Sequence, residues 1–133
     1  MGHHRSGRKT VLVVDDQPQV RRLLRHILDR DGYRVLEAED EATAVETVRQ
    51  YEHDVDLALV DIELPGPNGR QVAATLDRFG VTQTVFITGL DPNALIQDGR
   101  LEPAARLVRK PFTVATLTGA VKDVLRPPSC PTV

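Results

Sequence analysis

Hydrophobic and polar residues along this chain follow two different periods. Short unbroken apolar runs rich in β-branched residues, such as 11–14 and 57–60, are typical of buried parallel strands. Between these runs, apolar residues recur every three or four positions, which predicts amphipathic helices. We therefore predict strands at 11–14, 33–36, 57–61, 84–88 and 106–109, each followed by a helix.

Four of the five predicted helices carry clear apolar stripes, and the last has Thr113 as its N-cap. The fourth helix is weaker, because Pro92 and Pro103 leave room in 91–103 for only a turn or two around 94–97. We expect this segment to be mobile. The stripes of the other four helices are Val20, Leu23, Leu24, Ile27 and Leu28; Ala42, Ala44, Val45 and Val48; Val72, Ala73, Leu76 and Phe79; and Leu117, Ala120, Val121, Val124 and Leu125.

The alternation of strands and helices predicts an α/β fold, because parallel strand pairs need crossover connections and right-handed crossovers place helices on both faces. We predict a doubly wound, flavodoxin-like five-stranded parallel sheet in the order 2-1-3-4-5 with five helices. A chain of 133 residues is long enough for a single core, which we assign to a domain at 10–126. Residues 1–9 are interpreted as a disordered leader or tag remnant, and 127–133 as a proline-rich tail.

Composition and charge argue against several classes of protein. A formal net charge of -2 argues against direct binding of nucleic acid, which normally requires a basic surface. The apolar runs are far shorter than the roughly 18 residues of a membrane span, and no signal peptide is recognisable, so we expect a cytoplasmic protein that does not bind membranes. The single cysteine, Cys130, has no internal disulfide partner and lies in the predicted tail.

Polar residues end four of the predicted strands or directly follow them: Asp15 and Asp16, Asp61, Thr88 and Lys110. Parallel strands end at one edge of the sheet, and ligands of open α/β sheets bind outside that edge. Three carboxylates, a hydroxyl and an ammonium should therefore converge there. Hard oxygen ligands suit Mg²⁺, and a carboxylate can act as a nucleophile towards a phosphoryl group.

Each of these residues alone also has a purely structural interpretation. Asp15 and Asp16 could form the turn that starts the first helix, and Asp61 could be an ordinary residue of a strand-end turn. Lys110 could be a solvated charge. The Lys110-Pro111 bond after an apolar strand is nevertheless suited to the cis form, which is found in only about 5–6% of X-Pro links. The combination, rather than any single residue, points to phosphoryl chemistry.

The most specific stretch is 61–69, in which Asp61 is followed by the pattern x-x-Leu-Pro-x-x-x-Gly. With this motif, the chain resembles the receiver domain of bacterial two-component response regulators from about residue 10 to residue 125. The acidic pair, the motif, the threonine and Lys-Pro-Phe occur in the receiver order. Their spacings are 45 residues from Asp16 to Asp61, 27 from there to Thr88 and 22 on to Lys110.

The resemblance implies a role for each acidic residue. Asp61 would accept a phosphoryl group from the phosphohistidine of a histidine kinase or a histidine phosphotransfer protein. Asp15, Asp16 and Asp61 would hold Mg²⁺, with Asp16 the preferred direct ligand of the acidic pair and the backbone carbonyl of Glu63 completing the protein ligands. The protein would be no conventional enzyme, since it would catalyse only its own phosphorylation and dephosphorylation.

The same resemblance assigns Thr88 and Lys110 to the phosphoryl oxygens. Receivers usually carry Tyr or Phe three residues before this lysine, whereas this chain has Leu107. We therefore expect the response to phosphorylation to concentrate in 89–103. The output partner is unknown, and the chain is interpreted either as a stand-alone regulator or as a domain of a hybrid histidine kinase.

Arg21, Arg22 and Arg25 give the first predicted helix a basic outer side. The simple interpretation is a solvated helix face. The alternative is an electrostatic docking surface for an acidic kinase or phosphotransfer domain, which salt would weaken.

Three other functions compete with the receiver interpretation. A phosphatase of the haloacid-dehalogenase type also uses Asp, Thr or Ser, Lys and Mg²⁺, but it needs a second Asp where this chain has Glu63, and its acidic pair comes late in the chain. A flavodoxin would need hydroxyls and backbone donors where Asp15 and Asp16 stand. A pseudo-receiver interaction module would not need the complete acidic and lysine set.

Overall fold

The computed structural model describes residues 8–51 and 54–125. Within them the chain alternates strictly between strands and helices. The strands are β1 (Thr10–Val14), β2 (Arg34–Ala38), β3 (Leu57–Asp61), β4 (Thr84–Thr88) and β5 (Arg106–Arg109). The helices are α1 (Pro18–Arg30), α2 (Glu41–Gln50), α3 (Gly69–Arg78), α4 (Pro92–Gln97) and α5 (Val114–Leu125).

The strands form one parallel sheet in the order β2-β1-β3-β4-β5, which confirms the predicted fold and strand order. Apolar residues of β1 alternate between the two faces. Leu12 and Val14 pack into the cluster that contains the buried residues of α2, α3 and α4. Val11 and Val13 pack into the cluster of α1 and α5. Burial on both faces explains why these strands are continuous apolar runs.

The strand register brings the candidate residues to one edge. Val14 pairs with Val60, so Asp15 follows β1 beside the end of β3. Asp61 pairs with Ile87, the residue before Thr88. The sheet therefore carries the candidate side chains on the carboxyl ends of adjacent strands, where α/β folds bind ligands.

Local capping sets where the helices next to this edge begin. Pro18 stands at the first position of α1, where its missing N–H costs nothing. Asn68 and Gln71 form a reciprocal capping box at the start of α3. The N–H of Thr116 donates to Thr113 Oγ1 at 3.0 Å, which confirms Thr113 as the cap of α5.

Several predicted details were wrong. The second strand is Arg34–Ala38 rather than 33–36, because Tyr33 N–H still bonds to Leu28 O of α1 while the pairing with β1 continues to Ala38. Three apolar stripe residues do not contribute to the core: Leu23 is 50% exposed, Phe79 is 44% exposed and follows the last residue of α3, and Ala42 is exposed. Each of the three lies at the edge of its apolar stripe, and the surface that the helix buries is narrower than the stripe.

Helix α4 is as short as predicted, and the Lys110-Pro111 bond is cis, also as predicted. None of the helices in the described part of the chain is long and apolar enough to cross a membrane. Residues 1–7 of the predicted leader and the whole predicted tail, with Cys130, lie outside the described residues.

Candidate functional site

An acidic cluster occupies the edge where β1 and β3 end. Each of Asp15, Asp16 and Asp61 offers a carboxylate oxygen, and these oxygens all lie within 4.8 Å of one another. Asp15 and Asp61 are buried at 1% and 5% exposure, whereas Asp16 is exposed. The predicted convergence of the three carboxylates is thus present in the structure.

Backbone N–H groups orient the two buried carboxylates. The N–H of Gln17 donates to Asp15 Oδ1 at 2.9 Å, and the N–H of Glu63 donates to Asp61 Oδ1 at 2.8 Å. Asp15 Oδ2 is buried, and no donor from the described residues reaches it. A buried carboxylate oxygen without a partner is costly unless a cation satisfies it. The donor set and this orphaned oxygen fit a hard divalent ion such as Mg²⁺.

The electrostatics of the cluster also favour a cation. Burial raises the pKa of Asp15 above its ordinary value. Burial raises the pKa of Asp61 to about 6, and the negative charge of Asp15 adds to the rise. The hydrogen bond from Glu63 N–H acts in the opposite direction and lowers this pKa. Without a counter-ion, the folded protein therefore holds these negative charges at a cost in stability.

Lys110 places an ammonium at the same edge. Its Nζ lies 3.9 Å from Asp61 Oδ2, which is an ion pair but is longer than a hydrogen bond. The backbone N–H of Lys110 donates to Thr88 O at 2.7 Å and ties the ends of β5 and β4 together. The ammonium is therefore near Asp61 without being hydrogen-bonded to it.

Gly69 explains the glycine of the sequence motif. A Cβ atom built on Gly69 would lie 2.6 Å from the Asp61 carbonyl oxygen and 2.6 Å from Ile62 Cα. Both neighbours are backbone atoms that cannot move aside cheaply. The glycine thus lets the first turn of α3 approach the end of β3 directly behind Asp61.

Sequence reasoning missed the role of the Glu63 side chain. Glu63 Oε2 accepts hydrogen bonds from the Thr88 hydroxyl at 2.9 Å and from the Gly89 N–H at 2.7 Å. Partial burial alone would raise the pKa of Glu63, but these hydrogen bonds and the charge of Lys110 outweigh it and lower that pKa. The signal in the sequence is an acidic residue two positions after Asp61, in a loop beside the strand that ends in Thr88.

Two arginines of the predicted basic face of α1 are engaged by other parts of the domain. Arg21 donates to the backbone oxygen of Asp15 at 2.6 Å and pairs with Glu37 at 3.4 Å. Arg25 pairs with the same Glu37 at 2.6 Å. Two of the three arginines therefore brace α1 against β2, and Glu37 offsets one of the three positive charges.

The family model for the response regulator receiver domain matches residues 11–122. The chain belongs to this family. Receiver domains are regulatory modules of two-component signalling rather than conventional enzymes, so the phosphatase and flavodoxin alternatives are set aside.

Relatives of this receiver domain include full regulators. The transcriptional regulatory protein ResD of Bacillus subtilis is 34% identical over 118 residues, which are 87% of this chain and 48% of ResD. The aerobic respiration control protein ArcA of Escherichia coli is 32% identical over 115 residues, which are 86% of this chain and 48% of ArcA. The chain spans about half the length of these relatives.

A solved structure gives a further comparison. The response regulator protein TrrA of Thermotoga maritima, crystallised in complex with Mg(2+)-BeF, superimposes with a TM-score of 0.73 and 30% sequence identity. The match covers 88% of this chain and 99% of that chain.

Proposed function

We propose that this receiver domain takes a phosphoryl group from a phosphohistidine onto Asp61 in a magnesium-dependent reaction. The observation that carries the proposal is the cluster of three carboxylates at the sheet edge, with the Lys110 ammonium 3.9 Å from Asp61 Oδ2. The donor would be a histidine kinase or a histidine phosphotransfer protein.

The geometry supports Asp61 as the nucleophile. Asp61 Oδ1 is held by the Glu63 N–H, which fixes the plane of the carboxylate and leaves Oδ2 facing Lys110. Oδ2 would attack phosphorus while the bond between phosphorus and the imidazole nitrogen breaks. The products are an aspartyl phosphate on this chain and a neutral histidine on the partner once the imidazole has taken up a proton.

Mg²⁺ would be held by Asp15, Asp16, Asp61 and the backbone carbonyl of Glu63. When bound, the ion would supply positive charge that offsets the negative charge of the phosphoryl oxygens. The support for this ligand set is the orphaned Asp15 Oδ2 and the raised pKa of Asp61, since both are relieved by a cation. The similar protein TrrA was crystallised in complex with Mg(2+)-BeF, which supports a magnesium-dependent reaction here.

Thr88 and Lys110 would bind the other phosphoryl oxygens. A hydroxyl donor and an ammonium directed at the phosphoryl oxygens would stabilise the negative charge that these oxygens carry. Leu107 is half-buried against the core cluster on the side of α4, without the aromatic ring of typical receivers. We propose that the conformational response therefore concentrates in 89–103 and alters the binding of an output partner.

We also propose that the domain works in the cytoplasm without binding nucleic acid or membrane directly. It would catalyse only its own phosphorylation and dephosphorylation. It would serve either as a stand-alone regulator or as a domain of a hybrid kinase.

Intact mass spectrometry tests the proposed function. After incubation with a small phosphodonor and Mg²⁺, the mass of the wild-type protein should rise by one phosphoryl group. Asp61→Asn should show no gain. Asp77→Asn, which removes an exposed carboxylate from α3, should behave as wild type. Equal labelling of Asp61→Asn and wild type would refute the assignment.

A further inference from the structure

The Glu63 side chain bridges the loops that follow β3 and β4. One of its oxygens, Oε2, accepts from both the Thr88 hydroxyl and the Gly89 N–H, at 2.9 and 2.7 Å. The backbone N–H of the same residue donates to Asp61 Oδ1. Glu63 therefore contacts the proposed phosphoacceptor with its backbone and the proposed phosphoryl-binding threonine with its side chain.

We propose that the Glu63 carboxylate is an internal competitor of the phosphoryl group: it occupies the Thr88 and Gly89 donors in the unphosphorylated protein and must be displaced on phosphorylation. The inference rests on the proposed function of Asp61. Glu63 is then a positioning residue that sets how readily this receiver takes up a phosphoryl group.

The two donors cannot serve Glu63 and a phosphoryl oxygen together. A hydroxyl carries one proton and a backbone N–H carries one, so each makes one strong hydrogen bond at a time. Leu90 N–H donates to Thr88 Oγ1 at 2.9 Å, which engages the hydroxyl oxygen and leaves its proton for Glu63. Thr88 is fully buried, and in this arrangement Glu63 accepts its hydroxyl proton.

Charge also makes the two occupants mutually exclusive. A phosphoryl group brings about -1.5 to -2 charges, and a carboxylate held at the same donors would repel it. Lys110, whose ammonium pairs with Asp61 Oδ2, also attracts Glu63 in the present arrangement. The competitor thus draws on the hydroxyl and the ammonium that the phosphoryl group is proposed to use.

The exposure of Glu63 allows this exchange. The residue as a whole is exposed although its carboxylate is bonded, so the side chain can swing into water without unpacking the core. The exchange costs two hydrogen bonds to an ionised acceptor, which are stronger than neutral ones. The free energy that drives the exchange is therefore the difference between the interactions that these donors make with the phosphoryl group and those that they make with Glu63.

Beryllofluoride, a phosphoryl mimic, measures the competition at equilibrium. Calorimetric titrations in saturating Mg²⁺ should give about tenfold tighter binding for Glu63→Ala than for wild type. Glu63→Gln keeps an oxygen that can accept from both donors but loses the charge, so its affinity should lie between the two. Glu46→Ala, on the exposed side of α2, should bind as wild type. Equal affinity of Glu63→Ala and wild type, or weaker binding by Glu63→Ala, would overturn the proposal.

Equal affinities of Glu63→Ala and Glu63→Gln would also overturn the proposal, because charge alone would then account for the effect.

The Gly89 amide gives a second measurement that needs no ligand. Its hydrogen exchange should be slow in wild type and faster in Glu63→Ala, and unchanged exchange would contradict the contact. Intact mass spectrometry after incubation with a small phosphodonor distinguishes failure of the proposed phosphorylation from failure of the proposed role of Glu63. If no variant is phosphorylated, the proposed function fails; if all are phosphorylated at the wild-type rate, only the role of Glu63 fails.

Discussion

Replacing Asp61 by Asn should stabilise the fold in the absence of divalent cations, although it removes the proposed phosphoacceptor. Asp61 is buried next to the carboxylate of Asp15. This environment raises the pKa of Asp61 from 3.8 to about 6, mainly through burial. The oxygen of an asparagine can accept the same hydrogen bond from Glu63 N–H without carrying a charge. The substitution therefore removes the electrostatic cost and keeps the local bond.

The sign follows from the raised pKa. The folded state binds the Asp61 proton more tightly than the unfolded chain does, so this group favours folding fully below pH 3.8, and the contribution is lost as the pH rises through about 6. The rise in pKa corresponds to about 3 kcal/mol. Asp61→Asn should therefore be more stable than wild type by up to about 3 kcal/mol at about pH 8, and by much less at about pH 4.

Urea unfolding followed by circular dichroism measures this difference, since the chain has no tryptophan for fluorescence. Both proteins are compared in a chelator at several pH values. Glu46→Gln removes a charge from the exposed side of α2 and should show no comparable pH-dependent gain. If Asp61→Asn is no more stable than wild type at high pH, or if its advantage does not change with pH, the electrostatic reasoning is wrong.

Three further predictions concern the metal, the ammonium and the response. Mg²⁺ at about 100 times its dissociation constant should add about 2.7 kcal/mol to the free energy of unfolding and so raise the melting temperature in a thermal scan. The double change Asp15→Ala and Asp16→Ala should abolish this rise. Lys110→Ala should lower the phosphorylated fraction seen by intact mass, because the phosphoryl group loses a charge-assisted contact, whereas the exposed Lys122→Ala should not. Hydrogen exchange with beryllofluoride should change mainly in 89–103, and a change confined to α1 or α2 would contradict the proposed response.

The fold and the convergence of the candidate residues could be predicted because they depend on backbone pattern. Continuous apolar runs such as 11–14 are typical of strands buried between two layers of helices, as they are here. The polar residue that ends each run must then lie at the carboxyl edge of the sheet. The positions of Asp15, Asp61 and Thr88 follow from this register without any knowledge of their side-chain contacts.

The remaining features depend on how separate segments approach one another. The bond from Thr88 to Glu63 requires a particular rotamer of Glu63 and a particular distance between two loops, which no local pattern encodes. The pairing of Arg21 and Arg25 with Glu37 likewise depends on the angle between α1 and β2. A helical stripe shows which side of a helix faces the core, but it does not show how far the buried surface extends around the helix. The stripe of α1 therefore did not predict the exposure of Leu23.

The most direct test of the central claim is to locate the phosphoryl group chemically. Borohydride reduces an aspartyl phosphate to homoserine, and peptide mass spectrometry then identifies the converted residue. After phosphotransfer from a phosphorylated histidine domain in Mg²⁺, homoserine should appear at position 61 and at no other aspartate. Conversion at Asp15 or Asp16 with position 61 intact, or phosphorylation that borohydride does not convert, would contradict Asp61 as the phosphoacceptor.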